Sequence, residues 1–325
     1  MLNWNGCNDT LECLQSIKDI TYPNYHLIVV DNGSVDGSVA AIKKHFSDLT
    51  VLETGRNLGY AGGNNVGIQA ALGRGAEFVF LLNNDTIIAR DLLDQFVNAA
   101  AKFADAAAFC GKIYRYEEPN RIWWADARWV ESKGRFVCAL EGALDSLSTQ
   151  DTITDTDYAC GCAMFIRSAL IREVGPLDPQ FFLTFEETDW CFRVKRLGYR
   201  CLYIPKAKIW HKGSVSFNGD DSPLYSYFFT RNRLLFAERH LGIRACAIVW
   251  WKTISQIFAW ASAPMQSSGA SWKERYWLLH SWLRHLVRWW RTPGFWATRL
   301  AIRDYLLRRF GDCPLIVREL NRARI

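Results

Sequence analysis

The apolar run Phe78-Val79-Phe80-Leu81-Leu82 ends abruptly in Asn83-Asn84-Asp85-Thr86. It reads as a buried strand that stops on a cluster of oxygen ligands, because Asn and Asp are poor strand formers. Open α/β sheets bind ligands at the C-terminal ends of their strands. A carboxylate there suits a hard cation, and the cation suits a diphosphate. The competing reading is a turn that caps a helix beginning near Arg90.

The surrounding pattern alternates strand and helix. Residues 9–19 read as a helix with Leu11, Leu14 and Ile17 on one face, and Tyr25–Val30 as a strand. Ser38–Phe46 reads as a helix, Leu49–Glu53 as a strand, Asn65–Leu72 as a helix and Arg90–Phe103 as a further helix. Met1–Trp4 reads as the tail end of a strand whose beginning is expected ahead of Leu2. Such alternation predicts a mainly parallel sheet covered on both faces. Residues 113–157 are less regular, with Trp123, Trp124 and Trp129 close together. These tryptophans suit either a sugar site or a hairpin core. The pattern resumes with a strand at 163–167, helices at 168–174 and 187–197, and a strand at 200–204. From about Tyr225 the chain reads as helical, with breaks near Pro264–Gly269 and Pro293-Gly294.

Charge divides the chain more sharply than its net +6 suggests. Residues 231–325 carry 17 Lys and Arg against 5 Asp and Glu, and 9 of the 15 Trp. The remainder is acidic, with 22 basic and 28 acidic residues. We therefore expect two regions, residues 1–230 and a helical, basic, Trp-rich extension over 231–325. A basic Trp-rich surface suits an anionic membrane, and equally a solvated helical face over a Trp core. The apolar run 245–263 contains Lys252, Ser255 and Gln256, which fits an interfacial helix better than a span. The 10 Cys include no CxxC pair, and Cys160-Gly161-Cys162 has the wrong spacing for a zinc knuckle. Reduced, buried thiols in a cytoplasmic protein are expected.

Three other segments carry chemistry. Asp31-Asn32-Gly33-Ser34 ends a strand, where Asp31 can accept from a nucleobase or ribose; an Asx-turn is the plain alternative. Asn57–Gly67 reads as a glycine-rich loop feeding a helix, whose N–H groups favour an anion. It lacks the P-loop pattern, and the dinucleotide fingerprint is absent after the first strand. Phe185-Glu186-Glu187-Thr188-Asp189-Trp190 sets three carboxylates beside aromatic residues, where a raised pKa would suit a general base; helix-dipole pairing is the alternative. His211 follows a strand, a position where a lone His is more often structural. Arg231 and Arg233 suit phosphate.

Taken together, the ordered set Asn3-Trp4-Asn5-Gly6, Asp31-Asn32-Gly33-Ser34, Asn57–Gly67, Leu82–Asp85 and Phe185–Arg193 resembles the family 2 glycosyltransferases, nearest their rhamnosyltransferase-like branch. The resemblance implies a GT-A fold and inverting transfer from a nucleotide sugar, with dTDP-rhamnose the best guess, in bacterial cell-surface polysaccharide synthesis. It implies Asn3 and Asn5 beside the nucleotide, Asp31 on the base, and Asn64 and Asn65 near ribose and diphosphate. Asn83 and Asp85 match the metal motif, with Asn in place of its first acid, and His211 a later ligand of the same Mg2+ or Mn2+. Glu186, Glu187 and Asp189 match the acidic motif; Glu187 stands where the base is usually Asp, and either Glu187 or Asp189 could take the proton. Arg231 and Arg233 are expected to assist the diphosphate. The implied acceptor is a saccharide or lipid-linked saccharide, whose side residues 113–157 are expected to build. The implied location is cytoplasmic, peripheral on the inner face of the membrane, with no nucleic-acid partner. A catalytically silent nucleotide- or glycan-binding relative and a nucleotidyltransferase are the competing classes.

Overall fold

The computed structural model describes residues 1–145, 151–213, 222–262 and 292–322. They form two compact units, Met1–Trp129 with Phe136–Gly213, and Val130–Arg135 with Ser214–Ile325. By packing, the chain thus divides after Gly213. The change in composition near 230/231 lies inside a helix, Pro223–His240.

The first unit is an α/β sheet. Its strands are β1 (Leu2–Asn3), β2 (Ile28–Asp31), β3 (Thr50–Glu53), β4 (Phe78–Leu82), β5 (Thr86–Ile88), β6 (Ala106–Arg115), β7 (Ile122–Trp124), β8 (Ala127–Val130), β9 (Arg135–Cys138), β10 (Thr154–Thr156), β11 (Ala163–Arg167) and β12 (Arg200–His211). Strands β1, β2 and β3 pair in parallel, and a parallel bridge from Leu2 to Asn83 joins them to β4. Strand β11 runs antiparallel between β4 and β6, and β12 is parallel to β6. Between β3 and β12, six strands therefore share one direction and β11 alone opposes them. The central sheet is mostly parallel, as the alternation predicts, and β5, β7 and β10 add antiparallel edges.

One strand lies where the sequence pattern places no element, and one expectation needs correction. Strand β6 runs through Ala106-Ala107-Ala108, although alanine favours helix. Burial overrides propensity here: Ala106 through Cys110 have no exposed surface, and small side chains suit a strand covered on both faces. The glycine-rich segment is also no loop. Helix α3 spans Gly59–Gly73, preceded by α1 (Cys7–Ile17) and α2 (Ser38–His45). Its glycines serve close packing: a Cβ on Gly63 would fall 2.5 Å from Leu2, and one on Gly67 3.1 Å from Val30. Helices α4 (Leu92–Lys102), α5 (Ser168–Val174) and α6 (Glu186–Arg196) complete this unit.

The second unit contains α7 (Pro223–His240), α8 (Ile243–Ser262), α9 (Pro293–Leu306) and α10 (Leu315–Arg322). Ser222 caps α7 by accepting from the Tyr225 N–H at 3.1 Å, and Pro223 opens the helix where no N–H is needed. The expected break at Pro293 is likewise the first turn of α9. The break near Pro264–Gly269 lies outside the described residues. Among those described, no helix is long and apolar enough to cross a membrane.

Gly111 tests the account of β6. A Cβ there would stand 2.2 Å from the Ala207 carbonyl oxygen, at a register shift in β12. Gly111→Ala is expected to destabilise the protein by about 1–3 kcal/mol. Gly73→Ala, at the open end of α3, should instead stabilise by about 0.5 kcal/mol. Thermal unfolding of the two variants checks the opposite signs.

Candidate active site

The strand ends meet over one buried amide. Asn3, fully buried at the end of β1, donates to Asp31 Oδ1 at 2.8 Å and to the Ser34 hydroxyl at 3.2 Å. Its Oδ1 accepts from the Thr10 hydroxyl at 2.8 Å, from Asn84 at 3.1 Å and from the Gly6 N–H at 3.2 Å. Asp31 also accepts from the Ser34 N–H at 2.9 Å, closing the turn after β2. Exposed Asn5, in the left-handed region at φ 52°, accepts from the Val35 N–H. The expected nucleotide-side residues Asn3, Asn5 and Asp31 thus lie together; Asn3 and Asp31 are buried and Asn5 is exposed.

Beyond Asn84, the chain turns into β5, which pairs with the end of β12: His211 stands opposite Thr86. That pairing brings His211 Nε2 to 3.2 Å from Asp85 Oδ1. Asp85 Oδ1 and both His211 ring nitrogens are buried without a hydrogen-bond partner. A carboxylate oxygen and imidazole nitrogens left so in contact fit a shared cation. Among the described residues no three His, Cys, Asp or Glu converge on such a site, so these two stand as a pair. Lys212 fixes the strand end beside them. Its ammonium bonds Asp9 at 2.7 Å and Glu12 at 2.5 Å on α1, and its N–H donates to the Asp85 carbonyl.

The second half of the site is the start of α6. Phe182, Thr184 and Phe185 hold φ of 64°, 69° and 71°, an unusual run for residues with side chains. This bend turns the Phe182 carbonyl toward α3, where it accepts from the N–H groups of Tyr60 at 2.6 Å and Ala61 at 3.3 Å. The N-terminal donors expected to cradle an anion are therefore engaged within the fold. The Asn64 amide bonds the Tyr60 carbonyl, and Asn65 exchanges bonds with Leu177 in both directions. Both side chains hold backbone in place.

Of the three carboxylates, Asp189 is 2% exposed and bonded to Arg193 at 2.9 Å. Arg193 in turn bonds the carbonyls of Val174 and Pro176. Asp189 therefore anchors α6 to the preceding turn. Glu186 is buried, and burial first, then the charge of Glu187, pushes its pKa well up. Glu187 keeps partial exposure. Burial lifts its pKa to about 7, against the lowering pull of the N–H groups of Glu187, Thr188 and Gly161. The adjacent carboxyls titrate as a pair.

Cys160-Gly161-Cys162 joins the two halves. The Cys162 carbonyl accepts from the Asn83 N–H at 2.9 Å. Gly161 lies against Glu187: an added Cβ would sit 3.5 Å from Glu187 Cγ and 3.2 Å from the Tyr60 hydroxyl. Tyr60 donates that hydroxyl to the Gly161 carbonyl. Sequence reasoning missed Tyr60, Gly161 and Lys212. The usable signal was a glycine between two cysteines with no metal spacing, which marks a close approach.

Arg231 and Arg233 lie in the helical unit. Arg231 is fully buried, donates to the Gly311 carbonyl at 2.7 Å and packs on the rings of Tyr227, Phe228 and Phe310. Arg233 donates to Thr253 at 2.7 Å.

Residues 1–173 match the family described as glycosyl transferase family 2. The N-acetylglucosaminyl-diphospho-decaprenol L-rhamnosyltransferase of Mycobacterium tuberculosis is 24% identical over 259 residues, 74% of this chain and 81% of that one. The dTDP-rhamnosyl transferase RfbF of Shigella flexneri is 22% identical over 240 residues, 69% of this chain and 74% of that one. Among solved structures, the mannosyltransferase PcManGT from Pyrobaculum calidifontis, in complex with GDP-Man and Mn2+, superposes with a TM-score of 0.55 at 16% identity, covering 95% of this chain and 85% of its own. GalNAc-T7 with UDP, GalNAc and Mn2+ gives 0.56 at 14% identity over 87% of this chain and 53% of its own, so the present chain spans about half of it. These likenesses carry the fold, which is GT-A, and the family match spans more than half of the sequence. The chain belongs to glycosyl transferase family 2, and it is a glycosyltransferase.

Proposed function

We propose that the protein is an inverting, cation-dependent transferase that moves rhamnose from dTDP-rhamnose to a hydroxyl of a saccharide or lipid-linked saccharide in cell-surface polysaccharide synthesis. The observation that carries the chemistry is Glu187, a residue of intermediate exposure whose Oε2 is buried without a hydrogen-bond partner and whose pKa is lifted by burial to about 7. A base poised there accepts a proton near neutral pH without being protonated most of the time. The rhamnosyl donor is supported by the names of two relatives, and the lipid-linked acceptor by one of them.

In this reading the nucleotide lies over Asp31 and Asn5, with Asn3 holding Asp31 from below. Asp85 and His211 would hold the cation, with Asn83 adding a neutral amide; when bound, it offsets charge on the leaving diphosphate. Glu187 takes the proton of the acceptor hydroxyl. The acceptor oxygen then bonds to the anomeric carbon as the bond from that carbon to the diphosphate oxygen breaks, and the electron pair departs with the diphosphate. One displacement inverts the centre and needs no sugar–enzyme bond. Asp189 is a positioning residue, held by Arg193. Arg231 and Arg233 are engaged within the helical unit and take no step.

Glu187→Gln is expected to lower kcat by about 10²–10⁴-fold, measured by nucleoside diphosphate release and by transfer of labelled sugar to membrane extract. The active form is deprotonated, so transfer should be level above pH 7 and fall about tenfold per unit below it. A profile unchanged by Glu187→Gln contradicts this role. The cation end is tested separately. With Asn83 already uncharged, Asp85 carries the negative charge, so Asp85→Asn should cost far more activity than Asn83→Ala. Equal losses defeat that division, and a native chain that transfers no sugar better than Asp85→Ala defeats the whole assignment.

The helical unit is proposed to rest on an anionic membrane surface at the cytoplasmic face. Its α8 exposes Ile243 at 90% and Trp251 at 68%, in a region of net positive charge. Sedimentation with vesicles containing phosphatidylglycerol should carry the protein down, less so at high salt and with Trp251→Ala. Equal binding to neutral vesicles opposes an electrostatic surface.

A further inference from the structure

Of the tryptophans at 123, 124 and 129, two belong to packing. Trp124 is 4% exposed, donates its N–H to the Tyr158 hydroxyl at 3.3 Å and meets Tyr158 and Tyr203 edge-on. Trp129 meets Phe136 edge-on at 5.1 Å. Trp123 differs. Neighbours along a strand point to opposite faces, and Trp123, which packs partly against the core, also reaches His211. Its ring lies against the His211 imidazole, with centroids 4.7 Å apart and planes inclined by 53°. It stays partly exposed. Its N–H has no hydrogen-bond partner among the described residues, whereas those of Trp190 and Trp210 are bonded to carbonyls.

His211 raises the question that Trp123 answers. A metal-ligating imidazole is usually oriented by a hydrogen bond from its second nitrogen to a carboxylate, a carbonyl or water, and losing that partner loosens the metal site. Neither nitrogen of His211 has such a bond. The backbone is fixed by the β5 pairing and by Lys212, and Asp85 Oδ1 stands 3.2 Å from Nε2 at one end of the ring. The flank of the ring is met by the indole of Trp123.

We propose that Trp123 is a positioning residue for the reaction: its indole holds the His211 imidazole in the orientation that meets a divalent cation, in place of the missing hydrogen bond. The proposal rests on the reading of Asp85 and His211 as the cation end of the donor site. It adds a requirement that reading does not make, an aromatic ring at position 123. Packing restraint of this kind depends on ring shape, so Phe should serve and an aliphatic side chain should not.

The test is Mn2+ affinity, measured on the full chain by electron paramagnetic resonance with dTDP present. Trp123→Ala and Trp123→Leu should each weaken Mn2+ by about tenfold, the scale for losing a group that orients a ligand. Trp123→Phe should restore affinity to within about threefold of the native chain. In nuclear magnetic resonance spectra, the His211 ring proton should be shifted upfield by the indole, and that shift should vanish in Trp123→Leu. His211→Ala separates the two levels of the argument. If it leaves Mn2+ affinity unchanged, the cation assignment itself fails. If it abolishes binding while Trp123→Leu binds like the native chain, the positioning role alone is overturned. A Phe variant no better than Leu overturns it equally, and the Phe–Leu comparison decides the matter even where Ala does not fold.

Discussion

The side-chain amide of Asn3 connects elements that are otherwise separate. It reaches Asp31 after β2, Thr10 and Gly6 at the start of α1, and Asn84 after β4. Both its donors and its acceptor are engaged at a fully buried position, where a polar atom left unpaired costs about 1–3 kcal/mol. Strand β1 is only two residues long, so backbone pairing alone holds it weakly. The amide ties that short strand to its neighbours on both sides. Asp85 follows the bonded Asn84 by one residue, so the position of the cation end depends on the same network.

A second set of backbone contacts links the segment of Asp85 to Glu187, the proposed base. The Cys160–Cys162 segment touches Asn83 with a carbonyl and Glu187 with a glycine. Any larger residue at 161 would press on Tyr60 or Glu187. The bend at Phe182–Phe185 then joins α6 to the N-terminus of α3, replacing what looked like an anion cradle by a protein carbonyl. The unusual backbone sits immediately before the residue with the shifted pKa, in keeping with the tendency of such conformations to cluster at functional sites.

The alternation of strands and helices was legible because burial and periodicity agree there. Ile28–Asp31 and Phe78–Leu82 are apolar runs that end in polar residues, and both are strands. Legibility failed where one composition serves two purposes. Alanine at 106–108 gave no periodic signal, and its small side chains fill a strand packed on both faces. Glycine at 59–67 reads as loop but lets a helix lie close on β1 and β2. The pairing of Asp85 with His211 could be reached only through resemblance, since strand register determines it and no local pattern encodes register. Exposure also lies beyond a motif: Glu187 and Asp189 looked interchangeable until the bond to Arg193 separated them. The arginines at 231 and 233 carry the right chemistry for phosphate, and among their partners are carbonyl, hydroxyl and aromatic groups of the helical unit.

The salt bridge from Lys212 to Asp9 and Glu12 spans about two hundred residues of chain. Asp9 and Glu12 emerge early in synthesis, and Lys212 only when the first unit is nearly complete. The side-chain bonds of Asn3 are made to residues no later than Asn84, although the strand before Asn84 pairs with β11. His211 arrives with β12, and contacts of such long separation form late because the loop between them must first be closed. Asp85 and His211 therefore come together only across a long stretch of chain, and the register of β12 on β5 decides whether the two meet at all.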